Sequence, residues 1–222
     1  MTADEVYRTI QLACSKNQSG YIDPDQFNLI IKLGGLGFLD YLLGQVEQYQ
    51  PGRPQPRVAL GMSKTIRLSL AAVIDPISSL AIDGTGLSPY PANLQMVDAM
   101  FTTDMKKIRF VQQNKLDSYL NSSITPIDTN PIFLIDSAGF QFYPITLGTA
   151  KISYVHTPVE VIWGFNNNPN GDPIYDPTTS VDPEWYDADM MQVIVRALAL
   201  IGVNLQAAQV QQYAQMIKTQ GQ

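Results

Sequence analysis

The sequence predicts an α+β fold: helices at the N-terminus, a central antiparallel sheet or meander, and a C-terminal αα-hairpin. Three observations carry this. Apolar residues recur at helical spacing in the first fifty residues and in the last forty. Between Ile132 and Trp163, short runs rich in β-branched and aromatic residues alternate with turn-forming clusters. A long polar stretch, 164–183, then separates those runs from the final helical pattern. The 222 residues are compatible with one domain or two small ones and can bury a core without a disulfide or metal staple. The sequence is read as a single α+β domain spanning residues 1–222. Residues 1–75 are its helical region, 76–163 its β-rich region, 164–183 a polar loop and 184–218 a helical hairpin.

Residues Asp4 to Ser15 form the first expected helix. Thr2 is placed to cap it, Asp4 and Glu5 suit its first turn, and Val6, Ile10 and Ala13 share a face. Asp23-Pro24-Asp25-Gln26 restarts a helix, with an Asp cap and Pro at the first helical position, running from Pro24 toward Gln48. Gly34, Gly35 and Gly37 interrupt it, each costing roughly 1 kcal/mol against Ala. Either the helix breaks there or another backbone packs closely against it. The segment PGRPQPR, 51–57, is restricted to extended conformations by its prolines and projects Arg53 and Arg57. It reads as a surface connector or as an arm lying on an adjacent subunit.

A short helix is expected within 63–73, then strands over Ile77–Ile82, Leu94–Phe101 and Lys107–Val111, with Asp83-Gly84-Thr85-Gly86 as a turn and a turn or two of helix at Leu116–Leu120. The runs Ile132–Ile135, Phe140–Ile145, Lys151–His156 and Val159–Trp163 suggest an antiparallel meander. The twenty or so residues after Gly164 lack periodicity, which in a compact domain marks a functional loop, a linker or disorder. The next helix, Glu184 to Gly202, follows an Asp182-Pro183 start. Met190, Ile194, Ala197, Leu198 and Ile201 trace one face, and Met191 and Val195 widen it, so the helix must be covered on more than one side. In the last helix, Leu205 to Lys218, Val210, Tyr213, Ala214 and Ile217 make a narrower stripe.

Charged residues are 15% of the chain, against about 25% in ordinary domains, and the net charge of −6 argues against a general phosphate-binding surface. The single Cys14 excludes an internal disulfide and any paired-cysteine metal site, and its helical setting suits a buried apolar role. No secretory or membrane-spanning segment is expected. Ser15 to Phe27 superficially matches a calcium loop, with Gly20 at the turn and Asn17 and Ser19 as ligands. Ser15 replaces the first Asp, however, and Gln26 replaces the bidentate Glu. His156 is the sole base for a catalytic triad and sits in an expected strand without a nucleophile-elbow motif. Asp172, Asp176, Asp182, Glu184, Asp187 and Asp189 could hold a divalent ion or meet a basic partner; the plainer reading is a solvated loop and a helix N-terminus. Lys106, Lys107, Arg109 and Lys115 form a basic cluster without a nucleic-acid motif. Gly34-Gly35-Leu36-Gly37 lacks the Lys-Ser/Thr of a phosphate loop. No enzyme and no cofactor are expected.

The stretch FQFYPITLGTAKISYVHTPVEVIWGF, the polar loop ending at Trp185 and the end MMQVIVRALALIGVNLQAAQVQQYAQMIKTQG resemble head-to-tail connector (adaptor or ring) proteins of tailed bacteriophages, of the podovirus-type or crAss-like groups. KNQSGYIDPDQFNL and YQPGRPQPR share the likeness; Ser63 to Phe101 does not. The resemblance implies a virion structural protein of the neck that forms a ring, commonly of about a dozen copies, below the portal and around a channel that DNA crosses without sequence-specific binding. A tail-tube or tail-hub component is the alternative, and a hydrolase or carbohydrate-binding module a remoter one. Partners implied are further copies of the chain, the portal, and neighbouring neck or tail proteins, with no membrane. Assembly would take place in the host bacterial cytoplasm. Under this likeness Met190, Met191, Ile194, Val195, Leu198, Ile201, Val210, Tyr213 and Ile217 are expected at the oligomer interface. Asn166, Asn170, Tyr175 and Trp185 belong to a docking loop that orders on assembly, and Arg53 and Arg57 to a strap.

Overall fold

The computed structural model describes residues 1–16, 21–46, 64–121 and 125–201. Where the sequence suggests one domain, the chain gathers into two compact units. Unit 1 comprises residues 1–48 and 158–222, and unit 2 residues 49–157.

Unit 1 is built on helices. α1 spans Ala3–Lys16 and α2 Pro24–Val46. Thr2 and Glu5 satisfy each other's backbone at the start of α1: Thr2 N–H donates to Glu5 Oε2 at 2.8 Å, and Glu5 N–H to Thr2 Oγ1 at 3.3 Å. This is a capping box, which pairs two donors that a helix start leaves free. Ala3, Val6, Tyr7, Ile10 and Cys14 form the buried face of α1. α2 is continuous through its glycines. Its partner is α5, Asp187–Leu200. A Cβ on Gly34 would stand 3.0 Å from the Val193 carbonyl and 3.3 Å from Ala197 Cβ, so Gly34 permits the close crossing of the two helices.

Two expectations in unit 1 change. Val159–Trp163 is not a strand; only Ile162 bridges Val181. Side chains rather than a neighbouring strand take the N–H groups at its two ends. The Asn28 side chain accepts from Trp163 N–H at 2.8 Å, and Glu184 accepts from Val159 N–H at 2.9 Å. The stretch 164–183 is not without structure. β8 (Phe165–Asn167) and β9 (Pro173–Tyr175) pair antiparallel, and Asp176 closes a turn by accepting from Thr178 N–H and Oγ1. The second helix of the expected C-terminal hairpin, 205–218, lies outside the described residues.

Unit 2 carries α3 (Lys64–Leu70), a 3₁₀ turn (Ala71–Val73) and α4 (Leu116–Leu120) around two sheets. The strands are β1 (Ser78–Ala81), β2 (Leu87–Ser88), β3 (Leu94–Thr102), β4 (Arg109–Phe110), β5 (Ile132–Asp136), β6 (Gly139–Tyr143) and β7 (Thr149–His156). The orders are β1-β7-β3 and β2-β6-β5-β4. The fold is thus α+β, with mostly antiparallel pairing, but the expected meander is interrupted. β5 and β6 form a hairpin, whereas β7 leaves that sheet and inserts between β1 and β3. The cis Tyr143–Pro144 bond follows directly after β6. Leu80, Met100, Phe133, Phe140, Phe142 and Ile152, drawn from both sheets, share one core.

Candidate functional site

α5 follows from its sequence: from Met190 to Leu200 only Gln192 and Arg196 are polar. Met190, Val193, Ile194, Ala197 and Leu198 are buried within unit 1. Arg196 is held across the helix pair, its guanidinium 5.1 Å from the Phe38 ring centre and 4.7 Å from that of Tyr41, a cation–π arrangement on α2. At 100° per residue, Met191 and Val195 lie about 160° round α5 from the Val193–Ala197 contact. They remain 48% and 49% exposed. α2 mirrors this. Leu29 and Leu33, about 120° round that helix from Gly34, are 59% and 47% exposed. The paired helices therefore carry one apolar stripe each, on sides turned away from their mutual contact.

This sorts the residues singled out in the sequence. Met190, Ile194 and Leu198 are covered inside their own unit, so they build the helix pair rather than an outer surface. Met191 and Val195 form the outward stripe, and Ile201 is half-buried at its end. Trp185 is buried, edge-on to Phe38 at 4.9 Å, in the core rather than on a docking loop. Tyr175 packs 5.6 Å from Trp163, Asn166 donates to Asp176, and Asn170 is exposed at the hairpin tip. Arg53, Arg57, Val210, Tyr213 and Ile217 lie outside the described residues.

The acidic stretch ties the first residues of the chain to those around the start of α5. Asp182 accepts from Ala3 N–H at 2.7 Å, Glu184 from Val159 N–H, and Asp187 receives the Met1 ammonium. Hydrogen bonds from the Thr178 hydroxyl and N–H keep the Asp176 carboxyl below the ordinary range. Such uses leave a chain of structural acceptors, not a cage converging on one point. His156 is buried at the end of β7, with Nδ1 3.4 Å from Asp75. Lys106, Lys107, Arg109 and Lys115 are all exposed, spread from the turn after β3 to the turn before α4.

Sequence reasoning missed one feature of unit 2, a cleft of about 580 Å³. Arg67, Asp75, Ile77, Asp98, Phe101 and Lys107 are among the residues that line it. Asp98 is buried and takes both guanidinium nitrogens of Arg67 at 3.0 Å, with the Ser153 hydroxyl at 3.3 Å. The pairing joins α3 to the β3–β7 ladder. A buried carboxylate fixed by a bidentate arginine is an acceptor already used, which makes it a structural anchor rather than an acid or base. The one available signal was Asp98 itself, a charge in the middle of an expected strand.

No family model matches the chain, and no curated protein matches it.

Proposed function

We propose that the protein is a virion structural protein: a subunit of a ring in the head-to-tail connector of a tailed bacteriophage, joining the portal to the tail around the DNA channel. The observation that carries the reading is the double-sided helix pair. α5 buries one apolar arc on its own unit and offers a second, Met191 and Val195, while α2 offers Leu29 and Leu33, likewise turned away from the contact between the two helices. A unit with two different sticky faces joins head to tail. Such heterologous contacts close into a ring when the rotation per subunit divides a full turn. The likeness of the C-terminal third and of two upstream segments to connector proteins suggests the particle in which such a ring would sit, and a copy number near a dozen. Portal and tail proteins would bound it above and below. The net charge of −6 suits a channel past which DNA slides, because clustered cations would grip its phosphates.

The test is the mass of the purified chain across micromolar to millimolar concentration, alone and mixed with phage portal rings, followed by electron microscopy of any assembly. Rings are expected. Met191→Asp and Val195→Asp, at exposed positions, should keep the unit folded and abolish them, whereas Ile194→Asp and Leu198→Asp should unfold unit 1. A chain that stays monomeric under every condition and is absent from purified particles would overturn the reading. Stacked tubes in place of single rings would move it to the tail tube.

A further inference from the structure

Sheet edges are where a β-protein is exposed to unwanted pairing, and most edges of unit 2 are protected. β2 and β4 are two residues long. β3 carries two register shifts and the buried Asp98, and its outer side is partly closed by 106–108: Thr102 N–H donates to Lys106 O and Ile108 N–H to Met100 O. Short strands, bulges and inward charges are the usual protections.

β1 is four residues long and has no bulge or inward charge within them, although Pro76 and a one-residue register shift from the Ile74–Val155 bridge lie just before it. Ser78–Ala81 runs in unbroken register against Thr149–Ile152, contains no Pro, Lys or bulge, and among the described residues no strand lies on its other side. Ile82 N–H donates to Gly148 O in the same register. Antiparallel bonding alternates by residue, so Ser78 and Leu80 also face β7, while the N–H and C=O groups of Ser79 and Ala81 point away from the sheet. Both residues are exposed. Such a row of outward donors and acceptors is completed by one kind of ligand, an extended backbone.

We propose that the free edge of β1 is a docking site for an extended, lysine- or arginine-flanked segment of another protein, which adds a fourth strand to the β1-β7-β3 sheet. Charge decides between this occupant and a second copy of β1. Asp75 and Asp83 stand on either side of the strand. Asp83 is fixed there as an ionised group: the Thr85 hydroxyl and the N–H groups of Leu87 and Thr85 hold its carboxyl below the ordinary range. Two copies paired antiparallel about Leu80 would set Asp83 of each two residues from Asp75 of the other, at both ends. That like-charge juxtaposition disfavours self-pairing. A segment with cations at its ends turns both carboxylates from repulsive to attractive. At about 3.3 Å per residue, eight fully extended steps from Asp75 to Asp83 would span roughly 26 Å. Only Ser78–Ala81 is strand and a register shift precedes it, so this is an upper bound and the matching cations lie at most about eight residues apart. The inference does not depend on the connector reading.

The test uses the full chain and a synthetic nonapeptide of alternating Thr and Val with Lys at both ends, beside the same peptide ended by Glu. The Lys-ended peptide should slow amide exchange at Ser79 and Ala81 by at least about tenfold. It should bind at least about fivefold more tightly than the Glu-ended one, with the gap closing in about 0.5 M salt. Ser79→Pro removes one outward donor and none of the bonds to β7, so it should abolish protection at Ala81 while the amides of Ala150 and Ile152 stay protected. Ala81→Pro repeats the test from the other outward position. The proposal fails if the Lys-ended peptide does not bind, if protection appears only at residues lining the cleft, or if both proline variants bind it as well as the parent. It fails equally if β1 pairs with itself, seen as concentration-dependent protection without peptide.

Discussion

Gly34 offers the sharpest test of how α2 and α5 are packed. An Ala side chain in the middle of a helix gains about 1 kcal/mol over Gly, because the unfolded chain loses less backbone freedom. At Gly37 that gain is available, since the nearest atom to a new Cβ is Arg196 Cδ at 4.0 Å, ordinary contact with a flexible side chain. At Gly34 the new Cβ meets the Val193 carbonyl oxygen at 3.0 Å and both Cβ and N of Ala197 at 3.3 Å. Two of those three atoms are backbone of a hydrogen-bonded helix, which moves only as a body. Overpacking of this kind costs about 1–3 kcal/mol. Gly34→Ala should therefore destabilise unit 1 by about 1 kcal/mol net, and Gly34→Val by about 3 kcal/mol, whereas Gly37→Ala should stabilise it by about 0.5–1 kcal/mol. Both tryptophans, Trp163 and Trp185, are buried in unit 1, so urea unfolding followed by tryptophan fluorescence reads this unit alone. If Gly34→Ala raises the urea midpoint as much as Gly37→Ala does, α5 does not cross at Gly34 and the helix pair is wrong.

Further outcomes follow from named contacts. Arg67→Met should cost about 3 kcal/mol, because it strands Asp98, 6% exposed, with only the Ser153 hydroxyl. Asp98→Asn should cost less, about 1–2 kcal/mol, since the half-exposed Arg67 regains water. Calorimetric unfolding of both variants checks the order, and a reversed order would refute the anchoring role. Asn28→Ala should remove the clamp on the Trp163 backbone, costing about 1–2 kcal/mol and red-shifting tryptophan emission. Burial, then the Tyr21 hydroxyl, raise the Tyr7 phenol well above its ordinary value. The folded chain thus keeps that proton to higher pH than the unfolded one. Its contribution is fully present below about pH 10 and is lost as pH rises toward the folded value; Tyr7→Phe should flatten this alkaline loss in a urea–pH series. Asp83 runs the other way: its depressed carboxyl contributes above the unfolded value of about 3.9 and loses that contribution as pH falls, so Asp83→Asn should lessen acid sensitivity of unit 2.

Local signals are legible in the sequence because they act over a few residues. The Thr2–Glu5 cap, the Pro24 start, the Asp83 turn and the β5–β6 runs each carry their cause within one turn of chain. Partner choice among strands is not legible. Lys151–His156 has the same β-branched pattern whether it follows β6 in a meander or passes between β1 and β3, because both settings bury Ile152 and Val155. The Val159–Trp163 run misleads for a related reason. Its pattern is that of a strand, but Asn28, far away in sequence, meets the backbone groups that a neighbouring strand would have paired. Trp185 reads as a docking-loop residue because its neighbours are polar; its burial depends on Phe38, which no local pattern reveals.

The breadth of the apolar face on α5 is legible, and its division is not. Counting apolar positions shows that the helix needs cover on more than one side, yet Met190 and Met191 look alike in sequence. Gly34 separates them. By letting α2 approach as closely as backbone contact, it fixes which arc of α5 faces inward: Val193 and Ala197 lie on the contact, Met190, Ile194 and Leu198 beside it, and Met191 and Val195 beyond it. A charge placed at 191 or 195 therefore leaves folding intact and, on the proposed ring reading, acts on association, whereas one placed at 194 or 198 acts on folding. That separation follows from the missing side chain at position 34. A Gly34→Val variant that swings α5 aside should blur it, so that Ile194→Asp no longer costs more stability than Val195→Asp.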